Sequence, residues 1–163
     1  MIRVLGIDPG IASTGFGIVQ KDGDLLELIN YGVVKTPSNF NIPERLNKLY
    51  SELSELMDKN RTDYVAVERL FFNTNLKTVI NVSEAKGVIM LAVSKYYSEV
   101  FEYTPSEAKK ALLGAGRATK KEVQYAIMNI FKMDRLPRPD DAADGIALAL
   151  CHIYTIPYLE KTK

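Results

Sequence analysis

Arg3-Val-Leu-Gly-Ile-Asp-Pro-Gly10 is an apolar run that ends on one carboxylate, Asp8, and then breaks at Pro9 and Gly10. Such a run predicts a strand buried on both faces, with the acid at its carboxyl end where the backbone leaves the sheet. A buried carboxylate is costly unless it is hydrogen-bonded or bound to a cation, so Asp8 either caps the turn that follows or holds a metal. A second run, Asp63-Tyr-Val-Ala-Val-Glu68, has the same form. Between them, Asn41 to Asn60 carries apolar residues at Ile42, Leu46, Leu49, Leu53 and Leu56 or Met57, a helical period with Pro43 near its start. A strand, a crossover helix and a strand favour a parallel pair, which brings Glu68 to the same sheet edge as Asp8. Two strand-end acids side by side are much harder to explain as caps than one.

The intervening and following segments complete the sheet. Ile11 to Gly15 reads as a small-residue turn, Phe16 to Gln20 as a second strand, Lys21 to Asp24 as a hairpin turn and Leu25 to Val34 as a third strand. The chain therefore opens as an antiparallel meander. Asn75 to Tyr97 predicts a long helix with apolar residues on more than one side, so a second surface is left for another helix or another subunit. Ala85 and Gly87 would permit close approach there, and Met90 is the candidate interface position. Glu99 to Thr104 predicts a fifth strand, and Pro105 starts a helix to about Leu113. Thr119-Lys-Lys-Glu122 is a capping-box signal for a helix to about Phe131. Gly114-Ala-Gly-Arg-Ala-Thr-Lys120 lacks the glycine-lysine-serine/threonine ending of a nucleotide phosphate loop.

Pro139-Asp-Asp-Ala-Ala-Asp-Gly145 supplies two more acids at the start of a last, apolar helix. Asp140 is suited to cap it, which leaves Asp141 in the first turn and Asp144 three residues on, on the same face. The helix dipole accounts for Asp140 and Asp141 but gives no reason for Asp144. Cys151 and His152, at the far end, read as packing residues. Asp8, Glu68, Asp141 and Asp144 converge if this helix crosses the ends of the first and fourth strands. Ligands that are all oxygen select a hard cation, Mg²⁺ or Mn²⁺. Two such ions about 3.5 to 4 Å apart can activate water and stabilise the leaving oxygen in phosphodiester hydrolysis. No serine, cysteine or histidine is set up as a covalent nucleophile.

At 163 residues and 47% hydrophobic, the chain is expected to form one domain over residues 1–163, with a flexible tail in the last few. A lone cysteine excludes an internal disulfide and points to a reducing, cytoplasmic setting. No run reaches the roughly 18 apolar residues of a membrane span, and Asp8 interrupts the first run too early for a signal peptide. The net charge of +1 is unevenly spread: Thr104 to Pro139 holds eight basic residues, Arg117 among them, against three acids. Cations beside an acidic site suit an enzyme that grips phosphates and hydrolyses one. Adjacent Phe71 and Phe72 diverge, so one of the two can face the cleft and stack on a base.

Leu5-Gly-Ile-Asp-Pro-Gly10, Asp63-Tyr-Val-Ala-Val-Glu68 followed by Phe71, and Asp141-Ala-Ala-Asp144 together resemble the RuvC Holliday-junction resolvases of the ribonuclease H-like superfamily. The resemblance runs from residue 1 to about 155. It implies an α/β fold with a mixed five-stranded sheet in the order 3-2-1-4-5, strand 2 antiparallel, flanked by helices. It also implies a homodimer that makes paired, symmetric nicks in a four-way DNA junction, in cooperation with a branch-migration motor of the RuvA and RuvB type. The family's four acids carry over to Asp8, Glu68, Asp141 and Asp144, its stacking aromatic to Phe71, and its two important lysines to Lys109 and Lys120. Asp140 is an extra acid beside the motif, and the Asp-Ala-Ala-Asp spacing favours Asp141 as the ligand. Asp8-Pro-Gly-Ile-Ala-Ser-Thr-Gly15 also resembles the phosphate loop of actin-like ATPases, which need two such domains to enclose a nucleotide. A ribonuclease H acting on RNA hybrids has similar acids, whereas a non-catalytic junction-binding protein would have no use for four converging ones.

Overall fold

The computed structural model describes residues 1–70 and 76–160. Its centre is the first apolar run: β1 (Ile2–Asp8) pairs antiparallel with β2 (Ser13–Asp22) and parallel with β4 (Tyr64–Glu68). β3 (Leu25–Lys35) extends the antiparallel side and β5 (Phe101–Tyr103) the parallel side, giving the order β3-β2-β1-β4-β5. The expected sheet is the observed one. Its two-residue side-chain period decides where the acids point. Leu5, Ile7, Val65 and Val67 are buried in one cluster with α1 (Ile42–Lys59) and α2 (Leu76–Val93). Val4 and Ala66 are buried in the other, against α5 (Asp140–Glu160) with α3 (Pro105–Leu113) and α4 (Lys120–Ile130). Gly6 stands opposite Ala66 and Ile7 opposite Val67. One step further along the same register, Asp8 and Glu68 are neighbours on the α5 face.

The helix starts follow from local chemistry. Asn41, Thr104 and Thr119 each cap a helix in a reciprocal box with Glu44, Glu107 and Glu122 three residues on. Three expectations are corrected. The small-residue turn is shorter than expected: Ser13 to Gly15 already belong to β2, because Thr14 Oγ1 donates to the Gly10 carbonyl (2.6 Å) and the Thr36 amide to the Ala12 carbonyl (3.2 Å). α2 ends at Val93, not Tyr97, where the amides of Tyr96 and Tyr97 both turn back to the Val93 carbonyl. Asp140 is the first residue of α5 and not its cap, and its Oδ1 accepts a hydrogen bond from Gln124 Nε2 (2.8 Å). The expected tail, residues 161–163, lies outside the described residues.

α5 lies unusually close to the sheet because glycines tile the contact. A Cβ built on Gly6 would fall 2.1 Å from the Gly145 carbonyl oxygen, one on Gly17 would fall 2.6 Å from Ile146, and one on Gly145 would fall 2.7 Å from the Phe16 backbone. At Gly15 the distance to the Asp141 carbonyl oxygen would be 1.8 Å. Since Gly15 pairs with Asp8 across the β1–β2 ladder, this contact sets how near Asp141 comes to Asp8. Gly15→Ala is therefore expected to cost roughly 1–3 kcal/mol by overpacking against backbone that no rotamer change relieves. Its activity should fall further than its melting temperature suggests, because the first turn of α5 must lift. Thermal melts and activity assays on the same preparation check this.

Candidate active site

Three elements deliver the four candidate acids: β1 ends on Asp8, β4 on Glu68, and the start of α5 presents Asp141 in its first turn and Asp144 three residues on. Asp8, Asp141 and Asp144 each place a carboxylate oxygen within 4.8 Å of the others. Glu68 stands outside that group of three yet is the charged neighbour that raises the proton affinity of Asp8 most. The structure thus brings all four together, three of them tightly. Lys120 Nζ lies 3.4 Å from Asp144 Oδ2, and Lys109, on α3, is close enough to act on the charges of Glu68 and Asp144. Arg117 is exposed in the segment between α3 and α4. Phe71 and Phe72 lie outside the described residues. Asp140, held by Gln124, does not belong to the group of three.

The cluster is electrostatically frustrated. Burial first, then the charges of Glu68, Asp144 and Asp141, push Asp8 up to about 8, with Lys120 pulling it back. Burial and Asp144 push Glu68 up to about 7 against Lys120, Lys86 and Lys109. Burial also raises Asp144, with Lys120 opposing. A cation among these oxygens would reverse the frustration, and an all-carboxylate donor set fits Mg²⁺ or Mn²⁺. Midway along α5, which runs on to Glu160, His152 is fully buried among Tyr64, Phe101 and Tyr103, its Nδ1 bonded to the Tyr103 hydroxyl (2.8 Å). It is a packing residue, as expected. Burial lowers it to about 4.

These shifts give a pH signature with two signs. Acids raised in the fold keep protons that the unfolded chain releases, so their contribution is lost as pH rises from about 4 to about 8. His152, lowered in the fold, acts oppositely: its contribution is lost as pH falls from about 6.5 towards 4. The two oppose each other below 6.5, and only the acids act between 6.5 and 8. Without divalent ions the melting temperature is expected to fall by several degrees across that window, at most about 1.4 kcal/mol per group per pH unit. Saturating Mg²⁺ should flatten the slope. Melting curves at pH 6.5 and 8, in chelator and in Mg²⁺, read both effects.

The glycine tile was not read from the sequence as a site feature. Its signal was available: Gly15 and Gly17 alternate along one face of β2, and glycine inside a strand marks close backbone approach. The phosphate-loop reading of residues 8–15 finds no support, since the Gly10 amide donates to Thr14 Oγ1 (3.4 Å) and the loop closes on itself.

A mixed 3-2-1-4-5 sheet with acids gathered on the carboxyl edge of its two central parallel strands defines a ribonuclease H-like nuclease. The family model described as crossover junction endodeoxyribonuclease RuvC matches residues 4–152. The crossover junction endodeoxyribonuclease RuvC of Alkaliphilus oremlandii is 41% identical over 98% of both chains, and that of Alkaliphilus metalliredigens is 46% identical over 93% of both. RuvC of T. thermophilus, solved in complex with Holliday junction substrate, superposes with a TM-score of 0.90 at 33% identity, covering 97% of this chain and 96% of that one. The chain belongs to the RuvC family of crossover junction endodeoxyribonucleases.

Proposed function

We propose that this protein is a structure-selective endonuclease that resolves four-way (Holliday) junctions in recombination and repair, making paired symmetric nicks by metal-dependent phosphodiester hydrolysis. The observation that carries the chemistry is the approach of Asp8, Asp141 and Asp144 to within 4.8 Å. Asp8, Glu68, Asp141 and Asp144 would hold Mg²⁺, with Mn²⁺ able to substitute and two ions in the working site. Such ions supply Lewis acidity towards the phosphodiester and lower the pKa of water. The chain's own groups do the rest. Lys120 is largely exposed beside Asp144 and is free to swing its ammonium to a backbone phosphate. Lys109 keeps positive potential over Glu68 and Asp144, and exposed Arg117 adds a phosphate contact further out. Phe71, with Phe72 as its alternate, would stack on a base at the branch point. Incubating a synthetic four-way junction with the protein and Mg²⁺ should give nicks at symmetric positions in two strands. Cleavage of RNA–DNA hybrid with the junction left whole would overturn this reading in favour of a ribonuclease H.

The proposed assembly is a homodimer, which matches the two-fold related strands to be cut. Ile80 (57% exposed), Glu84, Gly87 and Leu91 (59% exposed) follow one face of α2. Met90, the interface position expected from the sequence, instead packs against the core. Among the described residues a Cβ on Gly87 would meet nothing within 4 Å, so no described neighbour inside the subunit requires a residue that costs a helix about 1 kcal/mol. A second copy of α2 is the occupant that would use the gap. Leu91→Glu is expected to leave the fold intact and weaken the dimer by about 2 kcal/mol or more, roughly 30-fold. Sedimentation should then show monomers, and paired nicking should fail. A branch-migration motor of the RuvA and RuvB type is the further partner the family implies. The proposed place of action is the cytoplasm, and no helix among the described residues is long and apolar enough to cross a membrane.

A further inference from the structure

We propose that Lys86 is a positioning residue for the active site, holding the backbone of Glu68 from the side of the sheet opposite the acids. The inference rests on the metal-binding role proposed for Glu68. Glu68 is the last residue of β4, and the ladder to β1 stops one residue earlier, at Val67. Beyond it only the β5 side is paired, through Glu68 with Tyr103 and through the Arg69 amide on the Tyr103 carbonyl (2.8 Å). The Glu68 carbonyl therefore sits where the sheet has ended and needs a donor of its own. Lys86 Nζ, reaching from α2, supplies it at 3.1 Å. The same ammonium is bonded to the carboxylate of Glu102, which lies opposite Val67 on β5.

The exposures separate this lysine from the others near the site. Lys86 is 18% exposed and Glu102 32%, whereas Lys120 is 62% exposed. Lys120 can be recruited by a phosphate. Lys86 is already committed to a main-chain oxygen and a half-buried carboxylate behind the sheet. Its bond is to backbone, so it fixes the Cα from which the Glu68 side chain departs, whatever that side chain holds. One lysine thereby ties α2, β4 and β5 together at the point where a candidate ligand leaves the sheet. Groups that orient a metal ligand in this way typically carry a 10–100-fold effect on metal affinity.

The test must separate positioning from a plain ion pair, because Lys86→Met alone strands the Glu102 carboxylate in a half-buried site. Lys86→Met/Glu102→Leu removes both partners and restores an uncharged contact, keeping the fold testable by its melting temperature. The double variant is expected to melt close to the unmodified protein yet to bind Mn²⁺ roughly 10–100-fold more weakly, read by electron paramagnetic resonance of free Mn²⁺ without DNA. Lys86→Arg, which can still donate to both acceptors, should recover most of that affinity. Junction binding in chelator should be unchanged in the double variant and in Lys86→Arg. Mn²⁺ affinity in the double variant equal to that of the unmodified protein would reduce Lys86 to a partner for Glu102 and overturn the proposal. Weakened junction binding in chelator would overturn it too, by making Lys86 a DNA contact. Failure of the unmodified protein to cut any four-way junction would count against the proposed function, while the Mn²⁺ measurement would still judge Lys86.

Discussion

Asp8→Asn is expected to abolish strand cleavage and, in the same protein, to raise the melting temperature of the metal-free fold at pH 8. Both effects have one origin. Asp8 is the acid with the most to lose by ionising, since it is buried at the end of the central strand with Glu68, Asp144 and Asp141 around it. In the unfolded chain its proton leaves near pH 4, and in the fold it is held to about 8. At pH 8 that difference works against the fold. Asparagine keeps the shape and removes the charge, which should return on the order of 2 kcal/mol, about 4–8 °C for a chain of this length. The same substitution removes an anionic oxygen from the three-acid group. Cleavage should drop by roughly three orders of magnitude or more, about 4 kcal/mol of barrier. A variant that becomes more stable as it becomes inactive identifies a residue kept for function against the interest of the fold. Unchanged stability in chelator together with lost cleavage would point to a ligand without electrostatic frustration. Normal cleavage would remove Asp8 from the site.

What could be read from the sequence divides along physical lines. The approach of Asp8 and Glu68 was legible because a strand, a helix and a strand have one favoured handed connection, and a two-residue period then fixes the face. The pairing of Asp141 with Asp144 was legible from a spacing of three on a helix. The capping boxes at Thr104 and Thr119 were legible because their chemistry is local. Three features were not legible, and each depends on groups distant in sequence. Met90 and Leu91 are adjacent and both apolar, and only the position of the core decides that Met90 packs inward. Ser13 to Gly15 look like a turn, and it is Thr36, on the far side of the meander, that holds the chain extended there. Gly15 and Gly17 signal a close backbone approach to β2, but the height of α5 above the sheet depends on which glycines of β1 and β2 meet Gly145 and Asp141, a register between segments distant in sequence.

Asp141→Asn and Asp140→Asn, made in parallel, should differ by at least roughly three orders of magnitude in cleavage, although the two residues are adjacent and the substitutions identical. The sequence leaves these acids nearly equivalent, since both stand in the first turn of α5, where a carboxylate is favourable with the helix dipole. Their neighbours separate them. Asp140 is exposed, and its Oδ1 accepts from Gln124 Nε2 at 2.8 Å, a bond an asparagine oxygen can accept as well. Gln124 also donates to the Pro137 carbonyl (3.2 Å), so Asp140 belongs to the bracing of the segment that leads into α5. Its substitution should cost well under about 1 kcal/mol and leave cleavage near normal. Asp141 sits over Gly15, the cross-strand partner of Asp8, and shares the group of three with Asp8 and Asp144. Asparagine there keeps the shape but loses an anionic ligand, so the protein should fold, bind a four-way junction in chelator at least as tightly, and fail to cut it in Mg²⁺. Tighter binding is expected because one negative charge is removed from the place where a phosphate must lie. Normal cleavage by Asp141→Asn with loss in Asp140→Asn would make Asp140 the ligand in place of Asp141, and would require the first turn of α5 to rotate away from Gly15.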